Sequence, residues 1–503
     1  MGFRLLRVKI SGHKVLKNVD IRFCDDAIEP VVYTTGVIGP NGTGKSHLMG
    51  AIATAFMEVR NAIESGNAPR KRFSFLLDYS MGGDVYSVTN ISKFKIEGFE
   101  LVELVDEPYS SLQATRNNKQ IDIKEIVLPE RVIASTMTIT DKFLARTDEF
   151  YRYKGIRNER SASTTGTRTI IRKTVDSLMG CMYAKSAFQE ELSILLDNLG
   201  LERHLHVNYG MRYKDLFLRQ DMTPGMIREI FDNWKDHFPS RENAPWGYGS
   251  YIRGLRENKN ALREAANFLS EKARERDTRK SVVVTYDVME APADFYRDSE
   301  ALKILSQLDL LSFPSINVTK KDTVYGLENS SSGETHLLCQ FIGIMADIRH
   351  NSLILIDEPE NSSHPNWQMN YVGWLKHIFR EYSDCHFVIA THSPLILANL
   401  KSSESTIVRL KRGESNRIEY EGGMERGCYS WTMDEILQDV MEMRSSRTEE
   451  FNNAMKAFEE AVDNDNRERA EIAYKRLLPL IHPENVLAEV LRIQMIGLDR
   501  KEA

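Results

Sequence analysis

One octapeptide constrains this chain more than any other feature. Gly39-Pro40-Asn41-Gly42-Thr43-Gly44-Lys45-Ser46 satisfies the phosphate-loop pattern GxxxxGK[ST] at every fixed position. It follows the apolar run VVYTTGVI and precedes KSHLMGAIATAFMEVRNAI, whose apolar residues recur at helical spacing. A buried strand, a glycine-rich turn and a helix N-terminus in that order let successive backbone N–H groups turn inward around phosphate oxygens, where the helix dipole adds favourable potential. Lys45 is then placed to reach the β- and γ-phosphates of ATP, and Ser46 to ligate Mg²⁺. The expected fold is α/β, with the loop at the C-terminal edge of a parallel sheet.

A second apolar run, Ser352 to Ile356, ends in Asp357 and Glu358. Two carboxylates at the end of a buried strand require a cation or a proton, and this edge is where open α/β sheets hold ligands. Asp357 is the candidate Mg²⁺ holder, and Glu358 the residue that polarises an attacking water. Upstream, Ser331-Ser332-Gly333-Glu334 opens the apolar helix THLLCQFIGIMADI, offering a second N-terminus to phosphate. Downstream, the strand CHFVIA ends in Thr391-His392-Ser393-Pro394, which makes His392 a candidate contact for the γ-phosphate.

Composition narrows the setting. A net charge of -6 and a pI near 6.1 exclude a protein that coats nucleic acid with its whole surface, so nucleic-acid contact has to be regional. Cys24, Cys181, Cys339, Cys385 and Cys428 are scattered and form no CxxC pair, which fits a reducing cytoplasm. No stretch approaches the apolar length of a membrane helix, and the N-terminus lacks a signal-peptide core, so no membrane association is expected.

Residues 1–149 read as a lobe carrying a hairpin with its turn at Ser11 and Gly12, the phosphate loop, and a mixed sheet built from FSFLLDYS, YSVTNIS, FKIEGFELVEL and ERVIAST. Residues 150–300 read as a helical insertion that begins in a mobile loop rich in Arg, Ser, Thr and Gly. Residues 301–430 return to alternating strands and helices, and 431–503 form a helical C-terminal region. The tail's apolar positions recur at helical spacing without an evident core of their own, which suggests a partner-binding region. Within it Asp463-Asn464-Asp465 reads as a turn.

In the order phosphate loop, Ser331–Glu334, acidic strand and His392, these motifs resemble the ABC ATPases of genome maintenance and phage defence, among them the RecF and SMC heads and the overcoming-lysogenization-defect ATPases. IDEPENSSHPNWQ and ATHSP are most similar to the soluble defence ATPases. LPERVIASTMTITDKF and WTMDEILQDVMEMRSSR resemble the PtuA-type ATPases of Septu and retron systems.

The resemblance implies an ABC-type head (a P-loop NTPase) with a helical insertion and a helical C-terminal region. It makes Ser331–Glu334 the signature that donates to ATP held by another copy, in a head-to-tail dimer or larger assembly. It also implies an HNH nuclease partner and, in the retron case, a reverse transcriptase with its RNA–DNA product. An ATP-gated DNA clamp of the RecF type is the alternative.

The chain departs from the family in three places. No glutamine follows the lobe strand, where Asp141 stands instead; the insertion is too short for the coiled-coil arms of SMC proteins; and no Toprim-like nuclease pattern follows the head. Nuclease activity is therefore expected from a partner. Arg152, Lys154, Arg157 and Arg160, with little acidic balance around them, are the expected contacts to nucleic-acid phosphates.

Overall fold

The computed structural model describes residues 2–24, 31–66, 72–90, 112–157, 166–184, 187–211, 219–232, 258–275, 283–290, 292–308, 310–412, 418–420, 425–426, 435–437, 448–482 and 485–502. The chain divides into two compact units, Met1–Ser430 and Trp431–Ala503.

The first unit opens with β1 (Arg4–His13) and β2 (Lys17–Arg22), an antiparallel hairpin. Its turn lies at residues 14–16 rather than at Ser11 and Gly12, because β1 runs on to His13, where a register shift precedes the pairing with Lys17. The chain then forms β3 (Tyr33–Ile38), buried along its whole length, and α1 (Lys45–Ser65). Next come β4 (Ser74–Met81), β5 (Asp84–Thr89), β6 (Gln113–Arg116) and β7 (Lys119–Ile121). These join the hairpin in a six-stranded antiparallel sheet in the order β2-β1-β4-β5-β6-β7. The expected mixed sheet thus resolves into an antiparallel sheet plus β8 (Val132–Thr136), which belongs elsewhere; FKIEGFELVEL lies outside the described residues.

β8 and its neighbour β9 (Tyr151–Lys154) form one flank of the central sheet. The sheet is completed by β14 (Leu353–Asp357), β15 (His386–Ala390) and β16 (Ser405–Arg412), giving the parallel order β16-β3-β15-β14-β8-β9, with short antiparallel strands outside β16. Both faces are covered, which is why the central strands read as continuous apolar runs instead of alternating ones. Leu353, Leu355 and Val388 point into a core shared with α1 and with Phe3, Val8, Phe75 and Leu77 of the antiparallel sheet. α1 is buried on nearly every side, as a helix between two sheets has to be. Phe387 points the other way and packs against Phe379, which stacks on Phe341.

Residues 150–300 are not purely helical. The first of them are β9, a strand of the central sheet, where a mobile loop was expected. α2 (Thr167–Ala184), α3 (Phe188–Leu199), α4 (Pro224–Asp232), α5 (Lys259–Arg274) and α6 (Pro292–Gln307) follow. Between them run β10 (Leu205–Gly210) and β11 (Val283–Asp287), which pair with β12 (Ser315–Lys320) and β13 (Thr323–Gly326) in a four-stranded antiparallel sheet. This sheet delivers the chain to α7 (Ser332–Asp347); α8 (Pro365–Ile378) follows β14.

The second unit contains α9 (Glu449–Asp463), α10 (Arg467–Leu477) and α11 (Val486–Glu502). It has the core of its own that the sequence did not reveal: Phe451, Phe458, Leu477, Leu491 and Leu498 close around Ala454, Ala461, Ala470 and Ala473. Asp463-Asn464-Asp465 forms the turn between α9 and α10, with Asp465 in the left-handed region.

Candidate functional site

Adjacent parallel strands β3, β15, β14 and β8 end side by side, and the loop after each brings its residues to one edge. From β3 comes the phosphate loop. Gly42 and Gly44 take φ of 79° and 84°, the left-handed region that a side chain disfavours, and Gly44 caps α1 with no side-chain bond to the helix N-terminus. The first N–H groups of α1 thus keep their capacity for an anion. Pro40 and Asn41 lie on the exposed rim, while Thr43 is buried and closes the loop through its hydroxyl to the Pro40 carbonyl at 2.8 Å.

Lys45 is buried and donates to the Gly39 carbonyl at 2.6 Å and to His392 Nδ1 at 3.1 Å. An ammonium has no acceptor, so Nδ1 accepts and the ring proton sits on Nε2, which faces Glu358 Oε1 at 3.4 Å. Burial pushes the Lys45 ammonium down to about 8, against the opposing pull of Glu358, Glu360 and Asp357. The hydrogen bond from His392 holds the Glu358 carboxyl below its ordinary range, although burial works against this.

Ser46 donates to Asp357 Oδ1 at 3.1 Å, joining the two residues expected at Mg²⁺. Asp357 is buried, and that burial pushes its carboxyl up to about 7; the Ser46 hydroxyl opposes the shift while Glu358, Asp141 and Glu360 add to it. A buried ammonium beside a helix N-terminus that has no side-chain cap fits a phosphate chain. A carboxyl this reluctant to ionise, paired with a hydroxyl, fits a divalent cation.

Glu358 itself has φ of 50°, a left-handed backbone costing about 1 kcal/mol for a residue with a side chain. Its N–H donates to the Ala390 carbonyl at 2.8 Å, which fixes the turn at the end of β14.

Two further residues at this edge, Glu360 and Gln368, were given no role by sequence reasoning. Glu360 accepts the His392 backbone N–H at 2.5 Å. Gln368 accepts from the Ser393 hydroxyl at 2.6 Å and donates to the Ser363 carbonyl at 2.9 Å, while Thr391 Oγ1 accepts the Ser393 N–H. The alternation of Glu358 and Glu360 beyond a buried strand, and the fourth-residue spacing of Gln368 from the helix cap His364, were the available signals.

The Ser331–Glu334 segment occupies a helix start of its own. Ser331 caps α7 by accepting the Glu334 N–H at 3.2 Å, and Ser331 and Ser332 are exposed. None of the hydrogen bonds or ion pairs made by Ser331, Ser332, Gly333 or Glu334 reaches residues 39–46 of the same chain. A Cβ on Gly333 would stand 2.4 Å from the Ser362 carbonyl oxygen, so only glycine allows this approach to the loop after β14. Glu334, expected at the nucleotide, is instead buried against Lys320 Nζ at 3.0 Å and Tyr325 OH at 3.1 Å, and fixes the start of α7.

The basic cluster also differs from expectation. Arg152 and Lys154 in β9 lie 3.5 Å and 2.6 Å from Asp347, which Arg131 meets at 3.1 Å. Burial disfavours the Asp347 carboxylate, yet Lys154, Arg152 and Arg131 together hold it below its ordinary range. Arg157 grips the fully buried Asp141 carboxylate at 2.5 Å, and Tyr153 donates to the same group at 2.9 Å. These three cations neutralise carboxylates within the head rather than forming a free phosphate-binding loop. Arg160 lies outside the described residues. Among the described residues no helix is long and apolar enough to cross a membrane.

Residues 185–398 match the family model described as "AAA domain, putative AbiEii toxin, Type IV TA system". The chain is 29% identical over 151 residues to the Septu protein PtuA of Bacillus thuringiensis, covering 30% of this chain and 37% of that protein. It is 27% identical over 175 residues to the "Retron Vc95 probable ATPase" of Vibrio cholerae serotype O1 biovar El Tor, covering 32% of this chain and 30% of that protein. The matched region thus spans about a third of the length of each relative. Among solved structures, the SMC head domain from Thermotoga maritima aligns over 84% of this chain and 100% of its own, at 10% identity and a TM-score of 0.34. The Smc head domain of Pyrococcus furiosus, solved with an extended coiled coil and the C-terminal domain of ScpA, covers 84% and 96% at 12% identity and a TM-score of 0.34.

Proposed function

We propose that this chain, a relative of the PtuA-type ABC ATPases of defence systems, binds and hydrolyses ATP as the ATPase subunit of an antiphage complex in the cytoplasm. Its nucleotide state would control an associated HNH nuclease and, in a retron setting, a reverse transcriptase with its RNA–DNA. The observation that carries the ATPase reading is the side-chain path from Lys45 through His392 to Glu358, beside the Ser46–Asp357 pair.

In this reading Lys45 exchanges its carbonyl and imidazole partners for phosphate oxygens. Ser46 and Asp357 would hold Mg²⁺, which when bound would neutralise phosphate charge. Glu358, ionised through its contact with His392, orients a water and draws off its proton. His392, released by Lys45, would donate to the γ-phosphate through a proton taken up at Nδ1, while Nε2–H stays on Glu358. Ser331 and Gly333 of a second copy would close the site from the far side, a reading that fits the absence, among the described residues, of hydrogen bonds or ion pairs between this segment and the phosphate loop of the same chain. This requires a head-to-tail dimer as the smallest complete unit.

Affinity purification of the native assembly with ATP and Mg²⁺, followed by mass spectrometry and nucleic-acid extraction, tests the assignment. Recovery of a stoichiometric HNH protein supports it, and co-extracted RNA–DNA narrows it to a retron setting. Recovery of the chain alone sinks the nuclease-control reading and favours the RecF-like clamp.

A further inference from the structure

Away from the nucleotide edge, β10 and β11 bring two histidines and two carboxylates together at the end of their shared ladder. His204 immediately precedes β10, and His206 lies two positions on, so both side chains share one face of the strand. Their rings stack nearly parallel, 9° apart in plane with centroids 6.2 Å apart. Across the ladder His206 is in register with Asp287, the last residue of β11, and Glu290 follows before α6 begins.

Asp287 is held in a defined orientation. Its Oδ1 accepts the backbone N–H groups of Met289 at 2.8 Å and Glu290 at 3.1 Å. Those bonds turn Oδ2 toward the imidazoles, 3.2 Å from His204 Nδ1 and 3.4 Å from His206 Nε2. Glu290 Oε1 lies 3.8 Å from the same His204 nitrogen, and one donor atom each from His204, Asp287 and Glu290 fall within 4.8 Å of one another. Nitrogen and oxygen ligands at about 2.0–2.1 Å from a tetrahedral ion stand about 3.3–3.4 Å apart, which is the spacing around Asp287 Oδ2.

We propose that His204, Asp287 and Glu290, with His206 beside them, form a binding site for a first-row divalent transition metal such as zinc. The imidazole nitrogens select against the hard cations Mg²⁺ and Ca²⁺, which take oxygen ligands. The backbone bonds to Asp287 Oδ1 provide the outer support that orients a ligating carboxylate. The bound ion ties β10 to the loop between β11 and α6, in the same sheet as β13, the strand that leads to α7. This site is separate from Ser46 and Asp357 and does not depend on the ATPase reading.

The test is zinc titration of the full-length chain after chelation and buffer exchange, read by calorimetry and by elemental analysis after gel filtration. Wild type is expected to retain one more zinc per chain than a His204→Ala/His206→Ala variant, and Mg²⁺ or Ca²⁺ in excess is expected not to displace it. Glu290→Gln, at an exposed position that does not threaten folding, is expected to weaken zinc binding by about tenfold. His350→Ala, which removes an exposed histidine beside Asp384, is expected to leave the stoichiometry unchanged. Equal zinc content in wild type and the double variant, or a wild type that retains none, overturns the proposal.

Discussion

Lys45 Nζ lies 3.1 Å from His392 Nδ1 although 347 positions separate the two residues in the chain. The ammonium that should receive phosphate is thereby shared between carbonyls of its own loop and the imidazole at the end of β15.

This arrangement makes nucleotide affinity pH-dependent. Lys45 deprotonates near pH 8 in the free protein, while phosphate binding requires the charged form. Without Mg²⁺, so that Asp357 does not enter, affinity for ATP is therefore expected to level off below about pH 8 and to fall toward tenfold per pH unit above it. Fluorescent-nucleotide titrations from pH 6.5 to 9.5 read this directly. Lys45→Ala should lose most binding at every pH, and a variant with wild-type affinity would remove Lys45 from the site.

Glu358→Gln keeps the shape of the turn but removes the base. It is expected to retain ATP, to slow phosphate release by about 10²–10⁴-fold, and to accumulate as the dimer in size-exclusion runs with ATP. Turnover at the wild-type rate would refute the role given to Glu358.

Asp357 links function to stability. Its folded pKa, about 7, lies above the unfolded value of 3.8, so the folded state binds more protons between these values and loses stability as pH rises through that window. The loss is on the order of 2–4 kcal/mol in nucleotide-free protein. Glu58, pushed by burial to about 7, adds a slope of the same sign. Asp357→Asn should reduce the fall in melting temperature between pH 5 and pH 8, leaving the share that Glu58 contributes, while abolishing Mg²⁺-dependent turnover; an unchanged slope would contradict the shift.

Arg157→Ala leaves Asp141 buried without its guanidinium, which is expected to cost about 3 kcal/mol of stability. Thermal unfolding measures it. A variant that melts like wild type yet loses nucleic-acid binding would restore the reading of Arg157 as a backbone contact.

The helical tail should fail on its own. Phe458→Ala opens its small core at a cost of about 3–5 kcal/mol, so limited proteolysis is expected to clip residues 448–502 while ATP binding by the head persists. Loss of ATP binding in step with tail cleavage would show that the two units do not fold independently.

The strand ends and the phosphate-loop turn at the edge of the central sheet were legible in the sequence because their parts are local. β3, β14 and β15 are buried on both faces and read as unbroken apolar runs, and the phosphate loop is set by eight consecutive residues. β9 was missed for the opposite reason. Its Arg152 and Lys154 look like solvated cations until Asp347, nearly two hundred residues on, arrives beside them. The four-stranded sheet was hidden in a similar way, since β10 meets β11 across more than seventy intervening residues. Glu334 looked like part of a phosphate site because Lys320 and Tyr325, its true partners, belong to a hairpin that only tertiary structure brings close. The tail's core eluded the pattern because four of its ten buried residues are alanines and most of the larger ones are spread over three short helices, so no single helix shows that they close on one another.

The missing side chain at Gly333 has a mechanical consequence. With no Cβ between them, the start of α7 and the loop beyond β14 lie backbone to backbone at Ser362, a seat that any side chain at position 333 would force apart. This segment would then meet a neighbouring copy as one joined piece instead of two separate loops. In the proposed dimer, a tug on Ser331 by the neighbour's nucleotide would reach Glu358 within the same piece of chain, so each active site would register whether the opposite one is filled.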